Sequence, residues 1–158
     1  MTGELNVRTA NSADVARIAL LAGQLGYPAT EREISPRFAA LEGQTDHAVF
    51  VADYPSTKVI GWLHVFIRPL LESDAAAEIG GLIVDERFRG RGVARALVDA
   101  SARWGQRCGV GYLRVRSNVT RESALRFYTG LGFREAKTQR VLIRILADDA
   151  ARGHQLRE

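Results

Sequence analysis

The segment that most constrains this chain runs from three apolar residues, Leu82-Ile83-Val84, through Asp85-Glu86-Arg87-Phe88-Arg89-Gly90-Arg91-Gly92 into Val93-Ala94. The apolar run reads as a strand. Beyond the glycines, Val93, Leu97, Ala100 and Trp104 recur at helical spacing and form one buried stripe. A strand that turns directly into a long amphipathic helix calls for helices packed on a sheet. The turn itself carries chemistry. At a helix start the first backbone N–H groups have no intrahelical acceptor, and with the helix dipole they form a seat for an anion. Glycines let the backbone approach a phosphate closely, and Arg87, Arg89, Arg91 and Arg95 surround the seat with positive charge. The plainer reading is a helix start with a solvated basic rim. The spacing matches neither a Walker loop nor the G-x-G-x-x-G dinucleotide fingerprint.

The remaining elements follow from periodicity. Leu5–Arg8 alternates as an opening strand, and Asn11 or Ser12 caps a helix with Val15, Ile18, Ala19, Ala22 and Leu25 inward. A second helix carries Ile34, Phe38 and Leu41, capped either at Thr30 with Glu33 or at Ser35 ahead of Pro36. Extended runs at 48–52 and 59–67 make a hairpin, and Glu78–Val84 is a strand whose Gly80-Gly81 pair points to a bulge or a close backbone approach. After the long helix come a strand at Tyr112–Arg116 and a helix with Ala124, Phe127, Tyr128 and Leu131 inward, capped by Asn118 or Thr120. Two further extended runs, 133–138 and 140–146, close the pattern. The predicted order is β-α-α-β-β-β-α-β-α-β-β in one mixed sheet, an α/β fold with α+β character.

Length and composition restrict the function classes. A chain of 158 residues with 46% hydrophobic and 25% charged residues is expected to form one globular domain, here residues 1–146, with a polar tail at 147–158. Cys108 is the sole cysteine, so there is no disulfide framework and no cysteine-based zinc site; a small buried residue is the expectation there. His47, His64 and His154 lack metal-ligand spacing, and no metal is expected. The polar start is no signal peptide, no apolar run approaches a membrane span, and the cytoplasm is the default address. Residues 1–79 carry ten carboxylates against six basic side chains, whereas residues 80–158 carry sixteen basic side chains against eight carboxylates. Twenty of the 22 basic residues are arginines, whose planar fork of donors suits phosphate oxygens.

Two blocks carry a family resemblance. R-x-x-G-x-G at Arg87, Gly90 and Gly92, placed after Leu82-Ile83-Val84, resembles the acyl-CoA-binding motif of the GNAT superfamily of N-acetyltransferases. Ala124-Leu125-Arg126-Phe127-Tyr128-Thr129-Gly130-Leu131-Gly132-Phe133 is similar to that family's A-x-x-x-Y-x-x-x-GF segment, and the predicted element order agrees over residues 4–146. The resemblance implies a GNAT-like fold whose fourth and fifth strands splay. It also implies acetyl-CoA as cosubstrate, with its pyrophosphate on the backbone of residues 89–94 (Arg89, Gly90, Arg91, Gly92, Val93 and Ala94) beside Arg87. The Leu82-Ile83-Val84 edge would then pair with the pantetheine arm. The family often has an Asn seven residues before the Tyr; this chain has Arg121 there, and Asn118 is the substitute.

Two residues are candidates for the chemistry. Tyr128 lies where many members place a general acid for the departing thiolate, although an aromatic at this spacing also reads as core. Glu78 lies where some members carry a catalytic Glu. It is either a base, which needs burial or a water relay, or a carboxylate that attracts a cationic substrate. His64 and His47 are rivals for the base. The resulting expectation is an acetyl-CoA-dependent N-acetyltransferase acting by direct attack of a primary amine. The acidic first half, with Glu72, Asp74 and Glu78, favours a small cationic acceptor. A protein lysine or N-terminal acetyltransferase is the alternative enzyme, and a CoA-sensing or nucleic-acid-binding module the alternative outside enzymes. Nucleic acid is disfavoured because the arginines gather at one turn and no aromatic platform accompanies them. A homodimer is the expected assembly.

Overall fold

In a computed structural model, which describes residues 3–118 and 120–146, the strand–turn–helix segment lies within a five-stranded sheet. The strands are β1 (Asn6–Thr9), β2 (His47–Asp53), β3 (Gly61–Arg68), β4 (Ala76–Val84) and β5 (Leu113–Val115), neighbours in chain order. β1 to β4 are antiparallel and β5 runs parallel to β4. The connections dictate this arrangement. Short turns join β2 to β3 and β3 to β4, whereas β4 reaches β5 through helix α3 (Val93–Arg107), as a parallel pair requires.

Both faces of the sheet are covered, which is why β2 is buried without alternation from Val49 to Ala52. On one face, α1 (Val15–Gln24) and α2 (Glu31–Leu41) bring Val15, Ile18, Leu21 and Phe38 against Val49, Val51 and Ile83. On the other, α3 sets Leu97 against Gly61 and Gly105 against Ala77. Leu21, Leu63 and Leu97 are fully buried, each contributing about 1.5–3 kcal/mol by leaving water.

Local chemistry sets the helix starts. Asn11 caps a single 3₁₀ turn, Ser12–Asp14, by accepting the Ala13 N–H at 2.9 Å, while Asp14 accepts the Asn11 N–H at 2.9 Å. Arg8 grips the same Asp14 with two nitrogens at 2.7 and 2.8 Å, tying β1 to α1. Thr30 and Glu33 form a reciprocal capping box, so Thr30 rather than Ser35 begins α2. Pro36 consequently lies inside that helix, exposed, where it forgoes a backbone bond to the Arg32 carbonyl.

Three expectations are corrected. The runs 133–138 and 140–146 form no strand among the described residues; Val141, Leu142, Ile143, Ile145 and Leu146 are exposed. Alternation and β-branching favour an extended chain, but a strand exists only where a neighbour supplies ladder partners, and none does here. The helix α4 (Glu122–Gly130) starts after Arg121 and not at a capping side chain. Asn118 instead closes a local turn, its Oδ1 accepting from the N–H and Oγ1 of Thr120 at 3.1 and 3.0 Å. Cys108 is exposed, because it caps the end of α3 just where Gly109 turns the chain at φ +79°.

The chain divides into two compact units, residues 1–117 and 118–158. The first holds the whole sheet with α1, α2 and α3; the second holds α4. The polar tail expected at 147–158 lies outside the described residues.

Candidate active site

The site is built where β4 and β5 part. Their ladder pairs Ala77 with Leu113, Glu78 with Arg114 and Ile79 with Val115, and stops there. Gly80 to Val84 therefore run on with no β5 partner, and among the described residues no strand pairs that edge of β4, although the Val84 carbonyl accepts from Arg89 Nε at 3.2 Å. On the other edge the register slips: His64 faces Gly81 and Val65 faces Ile79, so Gly80 is an extra residue. The bulge expected from the Gly80-Gly81 pair is present. A Cβ on Gly81 would come 2.9 Å from the Trp62 ring, and one on Gly80 would come 3.2 Å from both His64 Nδ1 and Phe66. The aromatic row Trp62, His64 and Phe66 can thus lie over the bulge only because both residues lack side chains.

At the far end of β4 the chain enters the glycine turn. Gly90 and Gly92 have φ of +73° and +80°, the left-handed region that L side chains rarely adopt, and open space lies where each Cβ would be. The first backbone bond of α3 is from the Ala96 N–H to the Gly92 carbonyl, at 3.0 Å. The N–H groups of Val93, Ala94 and Arg95 precede it and have no acceptor in the helix. Bare backbone donors at a positive helix end, with no Cβ above them, fit a pyrophosphate. The open edge beside Leu82-Ile83-Val84 fits an extended amide-bearing arm through its backbone alone, since the Ile83 side chain belongs to the core under α1 and α2.

The arginines of the turn are less free than their number suggests. Arg87 folds back onto the fully buried Asp85, with Nε at 3.1 Å and a terminal nitrogen at 2.9 Å. Arg17 of α1 grips the same carboxylate at 2.7 Å and donates its Nε to the Val59 carbonyl, also at 2.7 Å. The Asp85 N–H donates to the Ile60 carbonyl at 2.7 Å. Hydrogen bonds from Arg87 outweigh burial and hold the Asp85 carboxyl well below the usual carboxylate range. Asp85 and Arg17 thus fix where the turn leaves the sheet. Both are absent from the sequence-based site; the available signal was an aspartate directly after a strand, two residues before an arginine. Arg89 donates its Nε to the Val84 carbonyl at 3.2 Å, and Arg91 lies over the Phe88 ring, 5.3 Å from its centre.

Glu78 lies at the point of parting and is buried, at 5% exposure. It is not a free carboxylate. Arg116 approaches it at 3.1 Å, Arg68 at 3.4 Å and Arg114 at 3.7 Å. His47 and His64 form a pair on the same sheet face, with His47 Nδ1 3.0 Å from His64 Nε2. Burial first, and the neighbouring His47 second, lower His64 to about 4, so its ring is neutral at pH 7. The sequence names both histidines, but only the β2–β3 register brings them together.

In the second unit, Tyr128 stands edge-on to Phe127 and Phe133, with ring centres 5.0 and 5.3 Å away, and burial pushes its phenol above the ordinary value. Asn118 spends its side-chain oxygen on Thr120. Among the described residues no three His, Cys, Asp or Glu side chains gather as a metal site, and no helix is long and apolar enough to cross a membrane.

Comparison with known proteins gives the family and the fold. The family model for the acetyltransferase (GNAT) family matches residues 16–133. An uncharacterised N-acetyltransferase of Methanocaldococcus jannaschii is 30% identical over 76 residues, which are 48% of this chain and 34% of that protein. The chain thus matches about a third of that relative's length. Among solved structures, the aminoglycoside antibiotic 6'-N-acetyltransferase AAC(6')-Ih of Acinetobacter baumannii superposes with a TM-score of 0.80 at 17% identity, covering 91% of this chain and 100% of that one. Aminoglycoside N-acetyltransferase AAC(6')-Iy, solved with CoA, gives 0.78 at 22% identity, covering 92% and 97%.

Proposed function

The chain belongs to the acetyltransferase (GNAT) family, and from that membership we propose that it transfers the acetyl group of acetyl-CoA to a primary amine. The observation that carries the reading is the conjunction on one strand: β4 has a bulge at Gly80, an open edge over residues 80–84, and the bare helix start of Gly90-Arg91-Gly92 at its exit. In this reading the N–H groups from Arg89 to Ala94 bind the pyrophosphate and the Leu82–Val84 backbone pairs with the pantetheine arm. Arg89 and Arg91 add positive charge, while Arg87 holds the turn in place through Asp85. Asn118, its side-chain oxygen taken by Thr120, is proposed to contact the cosubstrate through its amide nitrogen.

The amine nitrogen attacks the thioester carbonyl carbon. A C–N bond forms, the C–S bond breaks, the ammonium proton goes to solvent or a base, and the sulfur leaves as thiolate. Tyr128 is the group proposed to meet that sulfur. A phenol ordinarily near ~10, and here raised by burial, stays protonated at neutral pH. Against a thiol near ~8.5, full proton transfer is uphill, so Tyr128 works by donating a hydrogen bond as charge grows on sulfur. Glu78, gripped by three guanidinium groups, suits positioning of the acceptor better than proton removal. Of the three carboxylates behind the expectation of a small cationic acceptor, Glu72, Asp74 and Glu78, the last is already paired with arginines and adds least to it.

Release of free thiol from acetyl-CoA across a panel of primary amines tests the proposal. At least one amine is expected to give stoichiometric thiol and acetylated product. Tyr128→Phe is expected to lower kcat about 10²-fold while leaving the KM for acetyl-CoA nearly unchanged. An amine panel that gives no product above the uncatalysed rate would overturn it.

A further inference from the structure

Resting on the acetyl-transfer reading, we infer that the acceptor carries an anionic group, a carboxylate or phosphate, which docks on Arg68, Arg114 and Arg116 beside its reacting amine. Three observations lead there. The first is charge. Three arginines from three segments, the end of β3, β5 and the residue just past β5, converge on the single carboxylate of Glu78. Among the described residues no other carboxylate pairs with them, so the cluster keeps two uncompensated positive charges. Three like charges held together around one counter-ion are not the cheapest way to pin two strands, and a buried ion pair is weak evidence for a stabilising role.

The second observation is an unused donor. Arg114 Nε is buried without a hydrogen-bond partner, and its 3.7 Å approach to Glu78 is too long for one. A buried donor left this way is costly, so Arg114 is not placed to optimise its pairing with Glu78. Arg116 and Arg68 each meet Glu78 through one nitrogen, which leaves the rest of each planar fork for a second oxyanion.

The third is position. Glu78 and Arg114 are ladder partners one residue before β4 and β5 part, and Gly80, the bulge, is two residues further along β4. The cluster therefore lies at the apex of the opening and not on a remote surface. Its neighbours on this sheet face are Phe66, opposite Glu78 in the ladder, and the His47–His64 pair. His64 is neutral at pH 7. The nearby carboxylates of Glu72 and Asp74 stand exposed on the β3–β4 connection. Glu78 then acts as the positioning residue that fans the three guanidiniums around the opening.

The test compares acceptors that differ only in the acid. An α-amino acid is paired with its amide, and an aminosugar phosphate with the free aminosugar; a polyamine serves as the cationic arm. Thiol release gives kcat/KM, and calorimetric titration in the presence of CoA gives binding independently of turnover. One acid-bearing partner is expected to exceed its neutral mate at least tenfold in kcat/KM, and which pair does so separates carboxylate from phosphate. Arg116→Ala, the most exposed of the three, is expected to raise KM for that acceptor at least tenfold. Its Tm and its KM for acetyl-CoA should stay as in the wild type, with partial recovery in Arg116→Lys. Acid and neutral mates used equally, or the polyamine preferred, would overturn the inference while acetyl transfer stands. An acid that binds through Arg116 but yields no thiol would overturn the transfer reading instead, and acids that neither bind nor react would overturn the inference.

Discussion

Single side chains determine how the turn and the sheet face respond to change. Asp85 is fully buried and joins Arg17, Arg87 and the Ile60 carbonyl in one knot. Removing one partner of a buried pair leaves charge uncompensated, so Asp85→Ala is expected to cost about 3 kcal/mol in urea unfolding. A loss within experimental error of zero would mean that the knot is incidental. Its folded carboxyl lies below the unfolded value of 3.8, so its contribution is intact above pH 3.8 and fades only in stronger acid. His64 acts in a different window. Its folded value of about 4 lies below its unfolded 6.5, so the unfolded chain takes up the proton first and stability falls as pH drops from 6.5 towards 4. With the ring only half-buried, the expected loss is about 2 kcal/mol. His64→Gln should flatten that slope, and an unchanged slope would place the acid sensitivity elsewhere.

At the scale of elements, the open edge of β4 depends on its bulge, and the bulge on two missing side chains. Gly81→Val places a Cβ within 2.9 Å of the Trp62 ring. It is expected to cost about 1–3 kcal/mol by overpacking and to raise the KM for acetyl-CoA, because the strand must shift to admit it. Unaltered stability and KM would show that the aromatic row does not hold the bulge. How much of this is legible from sequence depends on the range of the interaction. The helix stripes, the glycine turn and the bulge are local, and Gly80-Gly81 and Gly90-x-Gly92 mark them by residue type. The knot of Arg17 with Asp85 and the gathering of Arg68, Arg114 and Arg116 on Glu78 join residues far apart in the chain. The packing of α1 on the sheet creates the first, and the strand register the second. The runs 133–138 and 140–146 failed for the same reason in reverse: their pattern fits a strand, but a strand is decided by its neighbour.

For the whole molecule, one sheet organises both ends of the proposed reaction. β4 carries the bulge at Gly80 and the edge without a β5 partner over its second half, exits into the helix start proposed to bind the pyrophosphate, and near its other end holds Glu78 among the arginines. Residues 1–79 carry the excess of carboxylates and residues 80–158 the excess of arginines, yet the fold places arginines at both ends of this strand. The glycine turn is the proposed seat of the CoA ester. Calorimetric titration of acetyl-CoA into the wild type, Gly92→Asn and Gly92→Asp tests it most directly. Asn and Asp tolerate the left-handed backbone of Gly92 about equally, so the two variants share their strain and differ in one negative charge. The expected result is saturable one-to-one binding by the wild type, weaker binding by Gly92→Asn, and none by a folded Gly92→Asp. Equal affinity in the two variants would place the ester away from this turn.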